Sequence, residues 1–437
     1  MTMKGAFLLF SFFLFLQSCN TTEPPPNDSS ITLALEDVAS VEAWIKLTTN
    51  NLQLPTDVTL NHNDQTIETI NLITSDTLLY IDSLLPNTTY NFLASSIQSA
   101  AGGPVSSNQL QVTTLDTTSH DINWKVETIG GSGSFAFDVA IISENDIWMV
   151  GEFQTAESDT PYNAAHWDGL VWELERIQIN NFSGLIYPTQ LTSIFAFSSS
   201  DIWVFSNAGS YGHFDGTEWS SEWIPQHQGT IRKIWGSSSN NVFFVGGNGS
   251  ITKFNGSGFS LMNSGTDINL TDIYGTPDGS EVWACGWNSS DGRSVLLRLN
   301  GNNWETLWER NGNNNNLPYS SFMSTLWTSG RTEFLLTGIP DGIVRHSISN
   351  LDFAKKDEFA REIFTYRIRG DNTNNVYLAG TFSSIWHFNG ASWKRYDYLL
   401  NQADRLRSID VKNGIVVAVG SRFSGLLTGA LVLVGRK

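Results

Sequence analysis

The stretch of sequence that decides the fold is residues 231–259, which read IRKIWGSSSNNVFFVGGNGSITKFNGSGF. Residues 191–219, LTSIFAFSSSDIWVFSNAGSYGHFDGTEW, show the same pattern 40 positions earlier. In both segments, short apolar runs alternate with polar turns that contain glycine, which is typical of consecutive antiparallel strands. Self-similarity at this period is the sequence signature of a repeat architecture.

The repeat continues over residues 121–437. Equivalent apolar residues are 40 and 39 positions apart in one run and 42 and 41 apart in another, namely Ile194, Ile234 and Ile273, then Leu326, Ile368 and Ile409. Each unit contains about four strand-length runs, and four strands in about 40 residues correspond to one blade of a β-propeller. Counting predicts seven four-stranded blades, and irregular first and fifth units leave six or eight open.

A short motif, Asp or Asn followed by Gly, two further residues and an aromatic residue, marks five of these units. Its first and last residues are Asp168 and Trp172, Asp215 and Trp219, Asn255 and Phe259, Asn300 and Trp304, and Asn389 and Trp393. Asp-Gly and Asn-Gly favour type I′ hairpins, whose two central residues both have positive φ. The motif predicts the hairpin between the third and fourth strands of a blade. These blades resemble those of kelch-type and Asp-box propellers, although neither the kelch double glycine nor the full Asp-box recurs.

The two ends of the repeat region predict how the ring closes. The last unit stops at residues 429–435 (GALVLVG) without a fourth strand, whereas residues 122–129 (INWKVETI) form a strand-like run that precedes the first unit. We expect this run to be the outer strand of the last blade, with Trp124 as its recurrent aromatic residue. Closure of this kind removes exposed strand edges, which otherwise promote aggregation.

Residues 31–116 carry a different pattern. Seven short alternating runs predict a two-sheet β-sandwich. Trp44 is expected to fill the space between the sheets. Residues 84–92, LLPNTTYNF, resemble the L-x-P-G-T-x-Y signature of fibronectin type III domains. The resemblance implies a buried structural role for Tyr90, a domain that acts as a spacer or binding module, and no chemistry of its own. Residues 115–120 form the expected linker.

The first thirty residues predict export and anchoring. Lys4 precedes an apolar run over residues 6–16, which is too short to span a bilayer but fits a signal-peptide core. Residues 16–19 (LQSC) resemble a bacterial lipobox, which implies cleavage of residues 1–18 and lipid attachment to Cys19. Residues 19–30, with three consecutive prolines, read as an extended tether. Asn20 after Cys19 resembles the pattern of lipoproteins sent to the outer membrane, so we expect a lipid-anchored protein of the bacterial cell envelope.

Composition excludes some classes of partner. The formal net charge is −18, and no run of Lys or Arg occurs, so nucleic acid is not expected as a partner. Cys19 and Cys285 are the two cysteines, and Cys285 lies in an apolar run that predicts a buried free thiol. The tripeptide Arg369-Gly370-Asp371 is interpreted as a coincidental strand-to-turn junction. No cofactor is predicted.

Three histidines raise the question of a metal site. His166, His213 and His387 each lie two residues before the Asp or Asn of the hairpin motif, where other units carry Lys253 and Arg298. Equivalent positions in separate blades are spread around a ring, so the pattern favours a packing role and no metal. The Asn-rich runs 311–316 and 371–375 are interpreted as solvated turns, and no EF-hand calcium loop is present.

The sequence leaves three functional hypotheses. The first is a non-catalytic envelope protein whose propeller face binds a protein or glycan. The second is a glycan-active hydrolase or lyase with its site at the propeller axis, and the third is a purely structural envelope component. Arginines show no repeated axial register, and no catalytic motif is recognised, which favours binding. Acids and arginines that converge at the axis would favour the enzyme. Aromatic residues in irregular connections are the candidate ligand contacts, namely Tyr162, Trp287 and Tyr319.

Overall fold

The structure is a computed structural model. It describes residues 29–97, 104–181, 183–224, 227, 229–310, 322–330, 333–338, 342–347, 354–357, 364–423 and 428–437. The predicted signal peptide, Cys19, most of the tether, Tyr319 and the run 311–316 lie outside these residues. Two compact units are distinguished, one formed by residues up to 34, 46–78 and 90–111 and the other by residues 35–45, 79–89 and 112–437.

The N-terminal strands form two sheets. Their bounds are β1 (Ser30–Val38), β2 (Ala43–Asn50), β3 (Thr56–His62), β4 (Gln65–Leu72), β5 (Asp76–Ile81), β6 (Thr89–Ser96), β7 (Val105–Ser106) and β8 (Leu110–Thr113). One sheet has the order β1-β2-β5, and the other has β4-β3-β6-β7 with β8 paired to β6. Tyr90, Phe92 and Ala94 alternate with less buried residues along β6, because successive side chains of a strand point to opposite faces.

From β9 (Asn123–Ile129) onward the chain forms antiparallel sheets of four strands. The first three sheets are β10 (Phe135–Ser143), β11 (Asp146–Thr155), β12 (Ser158–Trp167) and β13 (Trp172–Glu175); β16 (Leu191–Ser198), β17 (Asp201–Ser206), β18 (Ser210–Phe214) and β19 (Trp219–Trp223); and β20 (Ile231–Ser238), β21 (Asn241–Gly246), β22 (Ile251–Phe254) and β23 (Phe259–Met262). A small hairpin, β14 (Ile179–Asn180) and β15 (Ile186–Tyr187), lies between the first two sheets.

The next three sheets follow the same order along the chain. They are β24 (Leu270–Gly275), β25 (Val282–Trp287), β26 (Ser294–Asn300) and β27 (Asn303–Arg310); β28 (Thr325–Thr328), β29 (Glu333–Gly338), β30 (Gly342–Ser347) and β31 (Ala354–Asp357); and β32 (Thr365–Asn372), β33 (Asn375–Gly380), β34 (Ile385–Phe388) and β35 (Trp393–Arg395). The described residues also contain short 3₁₀ helices at Gly247–Gly249 and Asp397–Leu399. Within the described ranges no helix has the length and apolar character needed to cross a membrane.

The last sheet joins the two ends of the repeat region. It consists of β36 (Arg405–Lys412), β37 (Ile415–Arg422), β38 (Gly429–Arg436) and β9. The β38–β9 register runs from Ala430 opposite Ile129 to Arg436 opposite Asn123, so the predicted closing strand is confirmed as the outer strand of this sheet. The first strand of each sheet contacts the first strand of the next, and β36 contacts β10, which closes the ring.

The core lies between neighbouring sheets. Strands β21 and β25 are buried along almost their whole length. Between them, Phe243 and Val245 pack with Ile273, Val282 and Ala284 in one apolar cluster. Because a blade is covered on both faces, its middle strands read as nearly continuous apolar runs rather than alternating ones, as in other sheets buried on both sides.

The repeated hairpin differs from the predicted type I′ turn. It joins the third and fourth strands as expected, for example with Phe214 opposite Trp219. However, Asp215 is not among the residues with positive φ, whereas Gly216 has φ +94°. The Asp215 carboxylate instead accepts hydrogen bonds from the backbone N–H groups of Thr217 and Glu218, at 2.8 and 3.0 Å. The same side-chain closure, an Asx-type turn, is made by Asp168, Asn255 and Asn389. The motif at Asn300 differs, because Asn300 pairs with Asn303 across a two-residue hairpin.

A candidate ligand-binding site at the propeller axis

The first strands of the sheets bring one set of polar residues to the axis. Each of these residues precedes the apolar anchor of its repeat, and all are buried: Asp138, Ser193, Lys233, Asp272, Thr325, Arg367 and Ser408. We call this set the axial ring. In every first strand except β28, a register shift immediately precedes the ring residue. Such β-bulges bend a strand and re-aim its side chains, and they are common beside functional sites.

Asp138 connects four sheets through one carboxylate. Its Oδ2 accepts hydrogen bonds from Ser193 Oγ at 3.1 Å and from the Ile194 backbone N–H at 3.0 Å. The same oxygen lies 2.6 Å from Lys233 Nζ, and Oδ1 accepts a bond of 2.6 Å from Ser408 Oγ. Burial alone would raise the pKa of Asp138, but Lys233 and Arg367 outweigh it and lower the pKa. The carboxylate is therefore ionised at neutral pH.

Asp272 has the same role on the opposite part of the ring. Its Oδ2 accepts hydrogen bonds from Thr325 Oγ1 at 2.5 Å and from the Leu326 backbone N–H at 3.1 Å. Arg369 binds both carboxylate oxygens, at 3.0 and 2.8 Å, and Arg367 pairs with Oδ1. Burial alone would raise the pKa of Asp272. The guanidinium groups of Arg367 and Arg369 lower it by more than burial raises it, so the net shift is downward. Bidentate Arg–carboxylate pairs of this kind also fix orientation.

A cavity of about 470 Å³ opens at one end of the axis. Aromatic side chains line its walls: Phe195, Phe197, Trp235, Tyr274 and Trp327. Lys233, Arg369 and Asp410 line it as well, and Asp371 and Lys412 come from the ends of β32 and β36. Its volume lies within the range typical of ligand sites, and its lining combines aromatic side chains with fixed polar groups.

Two acids line the cavity, Asp371 and Asp410, and neither has an ion pair among the described residues; Asp410 is the less exposed of the two. Its oxygens accept hydrogen bonds from the Ile141 N–H at 2.7 Å and the Val411 N–H at 2.9 Å. Burial raises its pKa, although the Ile141 hydrogen bond and the charge of Lys233 reduce the shift. The net upward shift favours the protonated form of Asp410.

Arginines do converge at the axis, contrary to the expectation from the sequence. Arg367 and Arg369 are both buried, 7 and 5 % exposed, and both bind Asp272. The sequence missed them because their partner lies about 95 residues earlier and no repeat carries the pair. The burial of Arg369 also means that the tripeptide 369–371 does not present its arginine at the surface, in agreement with its interpretation as a coincidence.

The three histidines of the repeat lie apart, in separate sheets. His166 stacks on Trp148 with ring centroids 4.3 Å apart, and His213 stacks on Trp203 at 4.0 Å. The Nε2 atoms of these histidines lie 2.9 Å from Asp146 and Asp201. We call this position, two residues before the Asp or Asn of the hairpin motif, the slot. The other slot residues make an equivalent contact with the adjacent strand: His387 on Tyr377, Lys253 over Phe243 and Arg298 over Trp283. This ring-on-ring or cation–π contact accounts for the slot, and the described residues contain no cluster of three metal-binding side chains.

The candidate contacts Tyr162 and Trp287 lie in strands β12 and β25, not in irregular connections as predicted, and they are not brought to the axial cavity. Tyr162 lies under the Arg176 guanidinium, 3.6 Å from its ring centroid. Trp287 packs against Phe322 at 4.5 Å and Phe364 at 5.7 Å. Neither lines the cavity. Their roles as ligand contacts stay predictions, as does that of Tyr319.

The residues predicted to have structural roles are placed as follows. Trp44 and Tyr90 are buried, and Trp44 lies 5.5 Å from the Tyr80 ring. Trp124 packs edge-on against Tyr396 at 5.4 Å. Cys285 is a fully buried free thiol, and burial raises its pKa well above the ordinary value. A thiol with a raised pKa is a poor nucleophile.

Comparison with known proteins identifies the fold only. The chain is similar to a YCF48 protein solved with a bound D1 peptide (16% identity, TM-score 0.55, covering 74% of this chain and 98% of that one) and to YCF48 from Cyanidioschyzon merolae (14%, 0.53, 72% and 98%). It is also similar to the WD40 β-propeller domain of Doa1 (12%, 0.51, 72% and 98%). No family model and no curated protein matches the sequence. Together with the closed ring of sheets, these similarities show that the chain contains a β-propeller.

Proposed function

We propose that this chain is a non-catalytic envelope protein whose propeller binds a segment of a partner protein at the mouth of the axial cavity. The observation that carries the proposal is the cavity itself, about 470 Å³ with aromatic walls and charged groups at its base. Asp138 and Asp272 tie neighbouring first strands together beneath it. A rigid, preformed site of this kind lowers the entropic cost of binding.

The similarity to a propeller solved with a bound peptide supports a protein segment as the ligand. The axial ring also favours binding over catalysis, because Asp138 and Asp272 are ionised and each accepts hydrogen bonds from several donors. Neither carboxylate has a proton to give at neutral pH, and each is held by ion pairs, so the converging acids and arginines act in binding and structure rather than in proton transfer.

The rest of the chain completes the proposal. In this proposal the propeller has seven blades. The N-terminal sheets form a fibronectin type III-like sandwich that acts as a spacer, and Cys19 carries the lipid that anchors the protein in the outer membrane. Multiple acyl chains anchor a protein stably, whereas one chain binds only weakly. Replacement of Cys19 by Ser is expected to release the protein from the membrane fraction and to abolish its incorporation of labelled palmitate. Unchanged membrane association would remove the anchor from the proposal.

Selection of peptides from a random display library tests the propeller's role. The soluble chain that begins after Cys19 serves as bait, and enriched peptides are measured by calorimetry. We expect Phe197→Ala, which removes a wall of the cavity, to weaken these peptides at least tenfold. Phe259→Ala is the matched control, because Phe259 is equally half-buried but packs against Phe254 and Tyr211 outside the cavity. Peptides that are indifferent to Phe197→Ala, or a library that yields none, would contradict the proposal.

A second function, glycan hydrolysis or cleavage at the axis, is favoured by two observations. Acids and arginines converge at the axis, which is the feature expected of the enzyme. Asp410 lines the cavity, and burial raises its pKa, as required of a general acid. Release of reducing sugars from a polysaccharide panel, abolished by Asp410→Asn, would support this function. It would replace the binding role as the main activity.

A further inference from the structure

We propose that the axial cavity binds a carboxylate, placed between Lys233 and Arg369, and that this carboxylate is the group by which the partner segment is anchored. The identity of the ligand as a polypeptide rests on the proposed function. The preference for a carboxylate rests on the cavity alone. Three observations support it: the donors of Lys233 and Arg369, the charges around the cavity, and the face of the Tyr274 ring, which Arg369 already covers.

The donors of the two cations are not all used within the protein. Lys233 Nζ has three N–H donors, and its hydrogen bond among the described residues goes to Asp138 Oδ2. Arg369 directs its Nη atoms to Asp272 and to the Leu326 and Ile368 carbonyls, and Nε has no acceptor in the same described ranges. Both side chains are more than nine-tenths buried, and both residues line the cavity. Buried donors favour a ligand that supplies acceptors.

The axis is less negative than the rest of the chain. Lys233, Arg369 and Lys412 oppose Asp371 and Asp410 in the lining, and Arg367, Asp138 and Asp272 lie behind them, so four cations meet four acids in a chain of net charge −18. Asp371 is exposed, and its carboxylate accepts hydrogen bonds from Asn375 Nδ2 at 2.6 Å and Gly414 N–H at 3.4 Å. An anion is therefore repelled less at the axis than elsewhere on this acidic protein.

The aromatic walls do not turn the cavity into a cation site. A cation is attracted to the face of an aromatic ring, but the Arg369 guanidinium already lies 4.8 Å from the centroid of the Tyr274 ring. A second cation there would be repelled by Arg369 and Lys233. An anion bound to these two cations with an apolar group against Trp235 and Trp327 satisfies both kinds of lining residue.

Three small probes of similar shape test the preference. They are 3-phenylpropionate, its neutral amide and 3-phenylpropylammonium, each titrated into the soluble chain by calorimetry. We expect the carboxylate to bind with a Kd of about 1 mM, typical of so small a ligand. The amide should bind at least tenfold more weakly, and the ammonium should not bind. Equal binding of all three, tighter binding of the ammonium or binding of none would overturn the inference.

The pH dependence has an expected sign. Burial lowers the pKa of Lys233 and raises that of Asp410. The other titratable groups around them are Asp138, Asp272, Tyr274, Arg367, Arg369, Asp371 and Lys412. An added carboxylate stabilises the protonated form of both Lys233 and Asp410, so binding takes up protons. The affinity for 3-phenylpropionate should therefore rise between pH 8 and pH 6, by at most tenfold per pH unit for each proton. A fall would indicate a cation site.

A double variant removes the cation without leaving an unpaired charge. Asp138→Asn with Lys233→Met eliminates both members of the pair, and the Ser408 hydroxyl can rotate to accept a bond from the Asn amide. The variant is expected to lose at least tenfold in affinity for 3-phenylpropionate. Lys253→Met is the matched control, since it removes a lysine of the same sheet that lies over Phe243 outside the cavity. If the double variant does not fold, the three-probe comparison on the native chain still decides.

Two arms distinguish the sources of the carboxylate. Peptides from the display selection are synthesised with a free or an amidated C-terminus, and each acidic side chain is replaced by its amide. A loss of binding in either series locates the anchoring carboxylate, whereas unchanged binding in both overturns the inference. Binding of 3-phenylpropionate without any selected peptide would leave the carboxylate site standing and would refute the proposed protein-binding role.

Discussion

The axial ring and the aromatic slots on the blades use neighbouring strands in opposite ways. In the slots, His166, His213, Lys253, Arg298 and His387 make the same contact with an aromatic residue on the adjacent strand. In the axial ring, equivalent positions hold two acids, two cations and three hydroxyl groups, and no two neighbours are alike. A contact that each blade makes within itself can repeat, whereas a contact shared around one axis has to differ from blade to blade.

The slots stabilise individual blades, whereas the axial ring supports the ligand cavity. Each slot stabilises one blade and can be varied between His, Lys and Arg, because each of these five blades offers an aromatic partner on the adjacent strand. The axial ring works as one unit, since Asp138 reaches Ser193, Lys233 and Ser408 on three other sheets. Loss of one ring member therefore affects several blades and the cavity above them.

Breaking the ring at Asp272 should produce the largest effect. Asp272→Leu leaves Arg367 and Arg369 buried without their carboxylate, and removal of one partner of a buried ion pair costs about 3–5 kcal/mol. Chemical or thermal unfolding measures the loss. The double variant Asp138→Asn with Lys233→Met, which removes both charges of a ring pair, is expected to cost much less. Similar losses in the two variants would show that unpaired charge is not the cause.

Low pH should reduce the free energy of unfolding through His387, which is the fully buried residue among the five slot residues. Burial, followed by the charge of His120, lowers the pKa of His387 to about 3. Because this pKa lies below the ordinary value of 6.5, the stabilising contribution is complete above pH 6.5 and is lost as the pH falls toward 3. We expect unfolding free energies to fall over this range.

The variant His387→Gln should make that decline shallower. His213→Gln in the equivalent slot is the control, because His213 is partly exposed and packs on Trp203 at the surface of its blade. Equal slopes for the native chain and His387→Gln between pH 6.5 and pH 4 would assign the acid sensitivity elsewhere. Below about pH 4 both variants should still lose stability, because Asp272 has a pKa below its ordinary value and its contribution disappears on protonation.

A smaller effect is expected from the hairpin motif that follows each slot. Gly256 has φ +89°, and a Cβ added there would lie 2.4 Å from Asn240 Oδ1. Gly256→Ala should cost about 1–2 kcal/mol in unfolding free energy, since a side chain is strained in this conformation. Gly258→Ala, in the same turn but with open space around its Cβ, should change stability by less than about 0.5 kcal/mol. Equal losses of stability in the two variants would show that backbone strain at Gly256 is not the cause.

The smallest effect concerns a slot by itself. Lys253→Met removes a cation that lies 5.2 Å from the Phe243 ring centroid at a partly exposed position. Such contacts contribute about 0.5 kcal/mol at exposed sites, and the Met side chain retains much of the apolar packing. Urea unfolding should show a change within about 0.5 kcal/mol. A loss as large as that of Asp272→Leu would mean that the slots, too, act as one unit.

Particular residues show how far the sequence could predict this site. The hairpin glycines, the period near 40 and the closing strand 123–129 were readable, because each depends on residues close together in the chain. The ion pairs of Asp272 with Arg367 and Arg369 were not, because the positions equivalent to these residues hold other residue types in the other units. One signal could have pointed to them, namely that a polar residue directly precedes the apolar anchor in every unit, at Asp138, Ser193, Lys233, Asp272, Thr325, Arg367 and Ser408.

The sequence by itself determined that the chain folds as consecutive four-stranded units, because strand alternation and turn formation are local properties that recur with the period. It also determined the packing role of the histidines, since their slot accepts Lys and Arg. Only the tertiary structure decided which charges meet at the axis and which aromatic residues surround them. The reason is geometric: closing the ring brings together one residue from each distant repeat, and no pattern within a single repeat encodes that meeting.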